Sequence, residues 1–258
     1  MAYMFLACES LTSIDVSSFN TSKVENMLNL FGYDRELFSL DLSNFDTSKV
    51  TIMNYMFFDC KKLTSINLSN FNTKLVTSFN AMFRNCNCLT SIDLSSFDTS
   101  NANNTNAMFD GCYNLENIIQ NFDTSNFVNL NSMFYNCSKL TSLNLSNFNM
   151  SNVITMESMF EGCENLKNVY FNNLITLSSI IEIKNLFSGC KNLNSLDLSF
   201  MDISKVTNMN FMFYDCKNLK YLNLSSFETS SVNSMISTFD GCSSLNYIKI
   251  AHLLKIII

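Results

Sequence analysis

The chain has no proline and no tryptophan, and its 258 residues include only five glycines and one histidine. Corners that other proteins turn with Pro or Gly must here fall to Asn, Asp and Ser, whose side chains hydrogen-bond to their own backbone in turns. The single histidine, His252, stands in the ragged last stretch, so no Ser-His-Asp or Cys-His arrangement can be assembled around it. Glycine-rich phosphate loops are missing as well. Basic residues do not run beyond the pair Lys61-Lys62, and the formal net charge is −6. That excludes the dense positive footprint with which a protein releases counterions from nucleic acid. There is no run of about 18 apolar residues, so no helical membrane span is expected. The start, Met1 to Cys8, is apolar but lacks the basic flank of a signal peptide.

What the chain has instead is one unit copied along its length. The string Leu42-Ser43-Asn44-Phe45-Asp46-Thr47-Ser48-Lys49-Val50, followed by Met53, Met56-Phe57 and Cys60, returns almost unchanged at Leu68–Phe71 with Met82-Phe83 and Cys86. It returns again at Leu94–Phe97 with Cys112 and at Leu145–Phe148 with Cys163. From Cys60 onward the cysteines Cys86, Cys112, Cys137, Cys163, Cys190, Cys216 and Cys242 follow at spacings of 26, 26, 25, 26, 27, 26 and 26. Cys8 lies two periods before Cys60, and Asp34 fills the slot between them. A fixed period of this size is the signature of a stacked repeat array.

Each unit carries two patterns. In Ser65-Ile66-Asn67-Leu68-Ser69 the apolar residues alternate with polar ones, as in a half-buried strand. In Val50, Met53, Met56-Phe57 and Cys60 they recur at spacings of three and four, which predicts one short helix or 3₁₀ turn per unit, with Thr47 and Ser48 at its N-cap. Asp59, Asn85, Gly111, Asn136, Gly162, Gly189, Asp215 and Gly241 stand just before the cysteines, where a left-handed residue would end that helix. The expected fold is therefore α/β: a leucine-rich-repeat-like solenoid of about ten 26-residue units, spanning 1–258 as one array. The Phe of each Met-Phe pair and the Phe after each strand are expected to line the interior. Neither end has a polar cap, so the array is expected to belong to a longer one. Three departures stand out. Ile118-Ile119-Gln120-Asn121-Phe122 is one residue short, and the stretch from Asn172 to Ile183, reading Leu174-Ile175-Thr176-Leu177, is one residue long. In Asn101-Ala102-Asn103-Asn104-Thr105 the residues Ala102 and Thr105 stand where Val and Met normally pack, so that segment is expected to be the least well-packed helical one.

These units resemble the BspA-like leucine-rich repeats of bacterial surface proteins, in the variant found in mycoplasma-type surface lipoproteins. The residues that carry the likeness are Leu11, Ile14, Asp15, Val16, Phe19 and Val24, and again Lys191 to Met209 with Leu193, Leu196, Asp197 and Leu198. The resemblance implies a cell-surface or secreted solenoid with roles in adhesion and protein binding, and it brings no catalytic residues.

The cysteine ladder offers one thiol per unit, whereas zinc sites gather four ligands, commonly in Cys-x-x-Cys pairs. The thiols are therefore read as small buried hydrophobes, and no metal or cofactor is expected. The outward strand positions are Ser, Asp or Asn in most units, as in Ser91, Asp93 and Ser95, but toward the C-terminus Tyr170, Tyr221, Tyr247 and Lys249 replace them. Tyr221 and Tyr247 share a slot in successive units and should stack. These four residues are the candidate partner-binding site, because tyrosines often anchor interfaces. A less organised candidate is the loop beside the cysteines, with Phe58, Tyr135 and Tyr214 next to Lys61, Lys139 and Lys217. The expected function is a non-enzymatic recognition scaffold for a host or microbial surface protein. Alternatives are a structural spacer and a glycan-binding surface, and neither nucleic acid nor membrane insertion is expected.

Overall fold

The computed structural model describes residues 1–120, 122–171 and 177–250. The chain forms two compact units, Met1–Asn126 and Phe127–Ile258. The first carries β1 (Ser39–Asp41), β2 (Ser65–Asn67), β3 (Ser91–Leu94) and β4 (Asn117–Gln120). The second carries β5 (Ser142–Leu145), β6 (Asn168–Phe171), β7 (Ser195–Asp197), β8 (Tyr221–Leu224) and β9 (Tyr247–Ile250). All paired strands are parallel and in repeat register, Ser39 opposite Ser65 and Tyr221 opposite Tyr247. Within the first unit the ladders join β1 to β2 and β3 to β4, and within the second they join β5 to β6 and β7 to β8 to β9. Parallel neighbours require a long crossover, and the rest of each repeat supplies it.

Two expectations are corrected. Among the described residues there are nine strands and about eight turns of about 26 residues, not ten units. The segment 11–16 forms no strand; near it, Phe38 N–H donates to Thr12 C=O at 3.2 Å. The second correction concerns the helix: among the described residues there is none. In its place every other N–H reaches into the next coil: Tyr55 to Asn80 O, Phe57 to Met82 O and Asp59 to Arg84 O, at 3.0, 2.9 and 2.8 Å. The intervening N–H groups close short turns, Met56 to Met53 O and Cys60 to Phe57 O, each at 3.3 Å. Two residues per coil, four apart, have positive φ: Tyr55 and Asp59, Ala81 and Asn85, Phe211 and Asp215. A left-handed residue every fourth position prevents a helix from propagating and turns alternate amides toward the neighbouring coil. The residue before the cysteine is thus left-handed as expected, but it shapes a ladder of turns.

The Asp-Thr-Ser segment is likewise part of the ladder. Thr47 is fully buried; its Oγ1 donates to Asn72 O at 2.9 Å and accepts from Asn72 N–H at 2.8 Å. Thr21 makes the same pair of bonds with Asp46, and Thr73 and Thr99 donate to Asp98 O and Asp123 O. Replacing Thr47 with valine keeps the shape and removes the hydroxyl from both groups of Asn72. The expected loss is about 1–3 kcal/mol of unfolding free energy by urea titration, with Thr47→Ser close to wild type.

The core is a pile of rings between the turns and the sheet. In the first unit Phe5, Phe31, Phe57, Phe83 and Phe109 stack with centroids 5.3, 5.9, 5.4 and 5.7 Å apart. In the second, Phe134, Phe160, Phe187, Phe213 and Phe239 stack at 5.9, 5.1, 6.0 and 5.6 Å. The Phe after the strand is buried at Phe45, Phe71, Phe97, Phe122, Phe148 and Phe227, and only partly covered at Phe19.

Candidate functional site

Strand alternation sends the odd positions outward, so the sheet face of the second unit displays Tyr170 on β6, Tyr221 on β8, and Tyr247 and Lys249 on β9. The three tyrosines are 55%, 39% and 53% exposed, a large apolar area for a face otherwise made of Ser, Asp and Asn. Tyr221 and Tyr247 stand opposite one another in the ladder and stack with centroids 5.2 Å apart and planes within 4°. Tyr170 stands apart from that pair, across the seam where β6 and β7 share no ladder.

The seam opens into a cleft of about 270 Å³ lined by Asn168, Tyr170 and Phe171 on one side and Ser195, Asp197 and Tyr221 on the other. Tyr170 and Tyr221 therefore meet in one site, while Tyr247 backs Tyr221, and Lys249 lies beyond Asn223, its partner in register. Burial opposes ionisation of Asp197. Hydrogen bonds from Ser199, with help from Asn223 and the charge of Lys249, outweigh it and hold the carboxyl below the usual range. Ser199 N–H and Asn223 Nδ2 reach the same oxygen, Oδ1, at 2.9 and 3.0 Å. Sequence reading found the tyrosines by their break from the repeat and missed Asn168, Ser195 and Asp197, which obey it. The signal available for the seam was the 27-residue spacing between Cys163 and Cys190. The extra residue's surroundings at 172–176 lie outside the described residues, as do Asn121 and the 251–258 stretch holding His252.

A second seam, between β2 and β3 in the first unit, holds a smaller cleft of about 140 Å³ lined by Asn67, Ser69, Asp93 and Ser95 without an aromatic ring. On the cysteine side, Phe58 packs edge-on against Tyr33 and Tyr55, and the Arg84 guanidinium sits 5.8 Å from its centroid. That cluster satisfies its own rings.

The thiol ladder is built into the core. Cys60, Cys86, Cys112, Cys163, Cys190 and Cys216 are buried, and each Sγ donates to the carbonyl of the phenylalanine three residues before the cysteine slot one coil back, at 3.0 to 3.2 Å. Burial pushes the thiols of Cys60, Cys86, Cys112, Cys163 and Cys190 up, Cys163 to about 12 and Cys60 and Cys86 further still, so they stay protonated and unreactive. Asp34, in the cysteine slot, is fully buried; its Oδ1 accepts Cys8 N–H at 2.8 Å and its Oδ2 has no partner.

The chain can now be set beside known proteins. A comparison with curated proteins finds no match. Among solved structures, a leucine rich cell surface protein from Faecalibacterium prausnitzii superposes with a TM-score of 0.53 at 18% identity, over 96% of this chain and 68% of that one. Leucine-rich repeat proteins from Bacteroides ovatus and Eubacterium ventriosum match at TM-scores of 0.38 and 0.39 and identities of 20% and 14%. They cover 95% and 87% of this chain and 74% and 70% of theirs. The first of these shows the leucine-rich-repeat fold, in keeping with the resemblance to BspA-like repeats. The family model described as "Mycoplasma protein of unknown function, DUF285" matches residues 1–91, 77–177 and 171–252. Those three stretches together span nearly the whole sequence, and the chain belongs to that mycoplasma family of leucine-rich-repeat proteins.

Proposed function

We propose that the protein is a non-enzymatic recognition scaffold of the cell surface that binds another protein through the sheet face of β6–β9. The observation that carries this reading is the exposed Tyr221–Tyr247 stack beside the Tyr170 cleft. A spacer has no use for three tyrosines in slots the repeat mostly fills with Ser, Asn or Asp, with Ile119 and Lys249 the other departures. Exposed apolar area of this kind is a hallmark of interaction surfaces. The surface location is supported by the family resemblance and by the described cell-surface relative of the same fold.

The test is a binding screen against extracellular-matrix proteins, with a glycan panel alongside, using wild type and Tyr221→Ser/Tyr247→Ser. Both substitutions restore a small polar residue to an exposed position, so the variant is expected to fold like wild type. Saturable binding to a protein that weakens at least tenfold in the variant is the expected result. Silence from both proteins would favour the spacer, and loss of glycan binding alone would favour a carbohydrate surface.

A further inference from the structure

We propose that the cleft at the β6–β7 seam receives the guanidinium group of an arginine side chain presented by the partner protein. This rests on the recognition reading of the sheet face and names the chemistry of its contact. Tyr221 and Tyr247 sit in register on adjacent strands with nearly parallel rings, so the ring normals run along the ladder. The next position in that column is Ser195, opposite Tyr221 on β7, which has no ring. Tyr247 covers one face of Tyr221; the other opens over Ser195 into the cleft. The column thus ends in a vacant layer one ring deep.

A planar cation fits that layer. Guanidinium stacks on aromatic faces and donates five hydrogen bonds within its plane, whereas an ammonium group is a compact point charge with no face to stack. The acceptors are close by. Asp197 is two residues along β7 from Ser195 and on the same side of the sheet, about 7 Å away along the strand. A carboxylate has about four lone-pair sites; Ser199 and Asn223 occupy the two of Oδ1, and Oδ2 remains to accept from the guanidinium. Asn168 and Ser195 add further polar atoms at the wall. Charge argues for a cation over a neutral sugar ring: the carboxylate is held ionised, Lys249 lies on the far side of Asn223, and the chain carries −6 overall. A sugar stacked in the same layer would leave that charge unpaired. The β2–β3 cleft has an aspartate and no ring, which makes it an internal control.

The experiment is an NMR titration of the full chain with acetyl-Gly-Arg-Gly-amide, and with the same peptide carrying citrulline, which keeps the plane and loses the charge. The expected result is saturable shifts at Ser195, Asp197 and Tyr221 with the arginine peptide. Affinity should fall about tenfold or more with citrulline or in Asp197→Asn, and Ser195→Tyr, which fills the vacant layer, should abolish binding. Equal shifts with citrulline would overturn the proposal. So would equal shifts around Asp93, which would mean unspecific attraction to surface carboxylates. A response to chitotriose or maltotriose with none to the arginine peptide would overturn it in favour of a sugar. A protein ligand from the screen that needs Tyr221 and Tyr247 but binds Asp197→Asn unchanged would keep the recognition reading and remove the arginine.

Discussion

Phe83→Ala is expected to lower the unfolding free energy by about 3–5 kcal/mol, measured by urea titration. Phe83 is fully buried, with Phe57 at 5.4 Å on one side and Phe109 at 5.7 Å on the other. Removing it leaves a hole between two rings that cannot close, because the coils are held at their spacing by the turn ladder, including Phe57 N–H to Met82 O and Phe83 N–H to Met108 O. Its carbonyl also accepts from Cys112 Sγ, so any backbone shift toward the hole disturbs that bond. Phe83→Leu, which refills much of the volume, should recover a good part of the loss. Equal stability of the alanine variant and wild type would mean that the coils can collapse and that the ladder does not fix their separation. In a stacked array a defect is felt mainly by nearest neighbours, so protection of amides should drop around Phe57 and Phe109 before it drops near β1.

The same ladder explains what could and could not be read from the sequence. The period, the cysteine register and the left-handed residue before each cysteine were legible because each recurs in one residue type or a small set. Ser65, Ile66 and Asn67 alternate as a strand, and form one. The helix was misread for a physical reason: turns closed by i to i−3 hydrogen bonds place apolar side chains at the same three- and four-residue spacing as a helix does. The second left-handed slot would have exposed the error. Outside Asn29 and Asn185 it is filled by residues such as Tyr55, Ala81, Ala107, Ser132 and Phe211, side chains that avoid that conformation when local preference decides. Inter-coil hydrogen bonds impose it, and such bonds are invisible in one unit. The site was half legible on similar grounds. Tyr170, Tyr221 and Tyr247 break the repeat, but Ser195 and Asp197 are functional candidates only because of where β6 and β7 part.

Stability should fall as pH rises from about 4 to 7, and Asp34→Cys should remove most of that slope, leaving the smaller part due to Asp110, whose carboxyl burial pushes up to about 6 against the pull of Arg84. An aspartate in the unfolded chain ionises near 3.9, whereas burial pushes the Asp34 carboxyl up to about 7 against the pull of the Cys8 N–H bond. Below about pH 4 the carboxyl is protonated in both states, and Asp34 costs the folded chain nothing. Between the two values only the unfolded chain sheds the proton, so stability drains away; above about 7 the loss is complete and reaches at most about 4 kcal/mol. The position explains the size. Oδ2 is buried without a donor, Cys60 and Asp59 add no positive charge, and the guanidinium of Arg35, next in sequence, donates to Asp59 at 2.7 Å. Cysteine, the residue of every comparable slot, carries its proton throughout and donates it to a phenylalanine carbonyl one coil back. Asp34→Cys gives up the bond to Cys8 N–H, so at pH 8 a net gain of about 2 kcal/mol is expected by urea titration, shrinking toward zero or reversing at pH 4.5. A gain of the same size at both pH values would show that packing, rather than the buried charge, separates the two side chains.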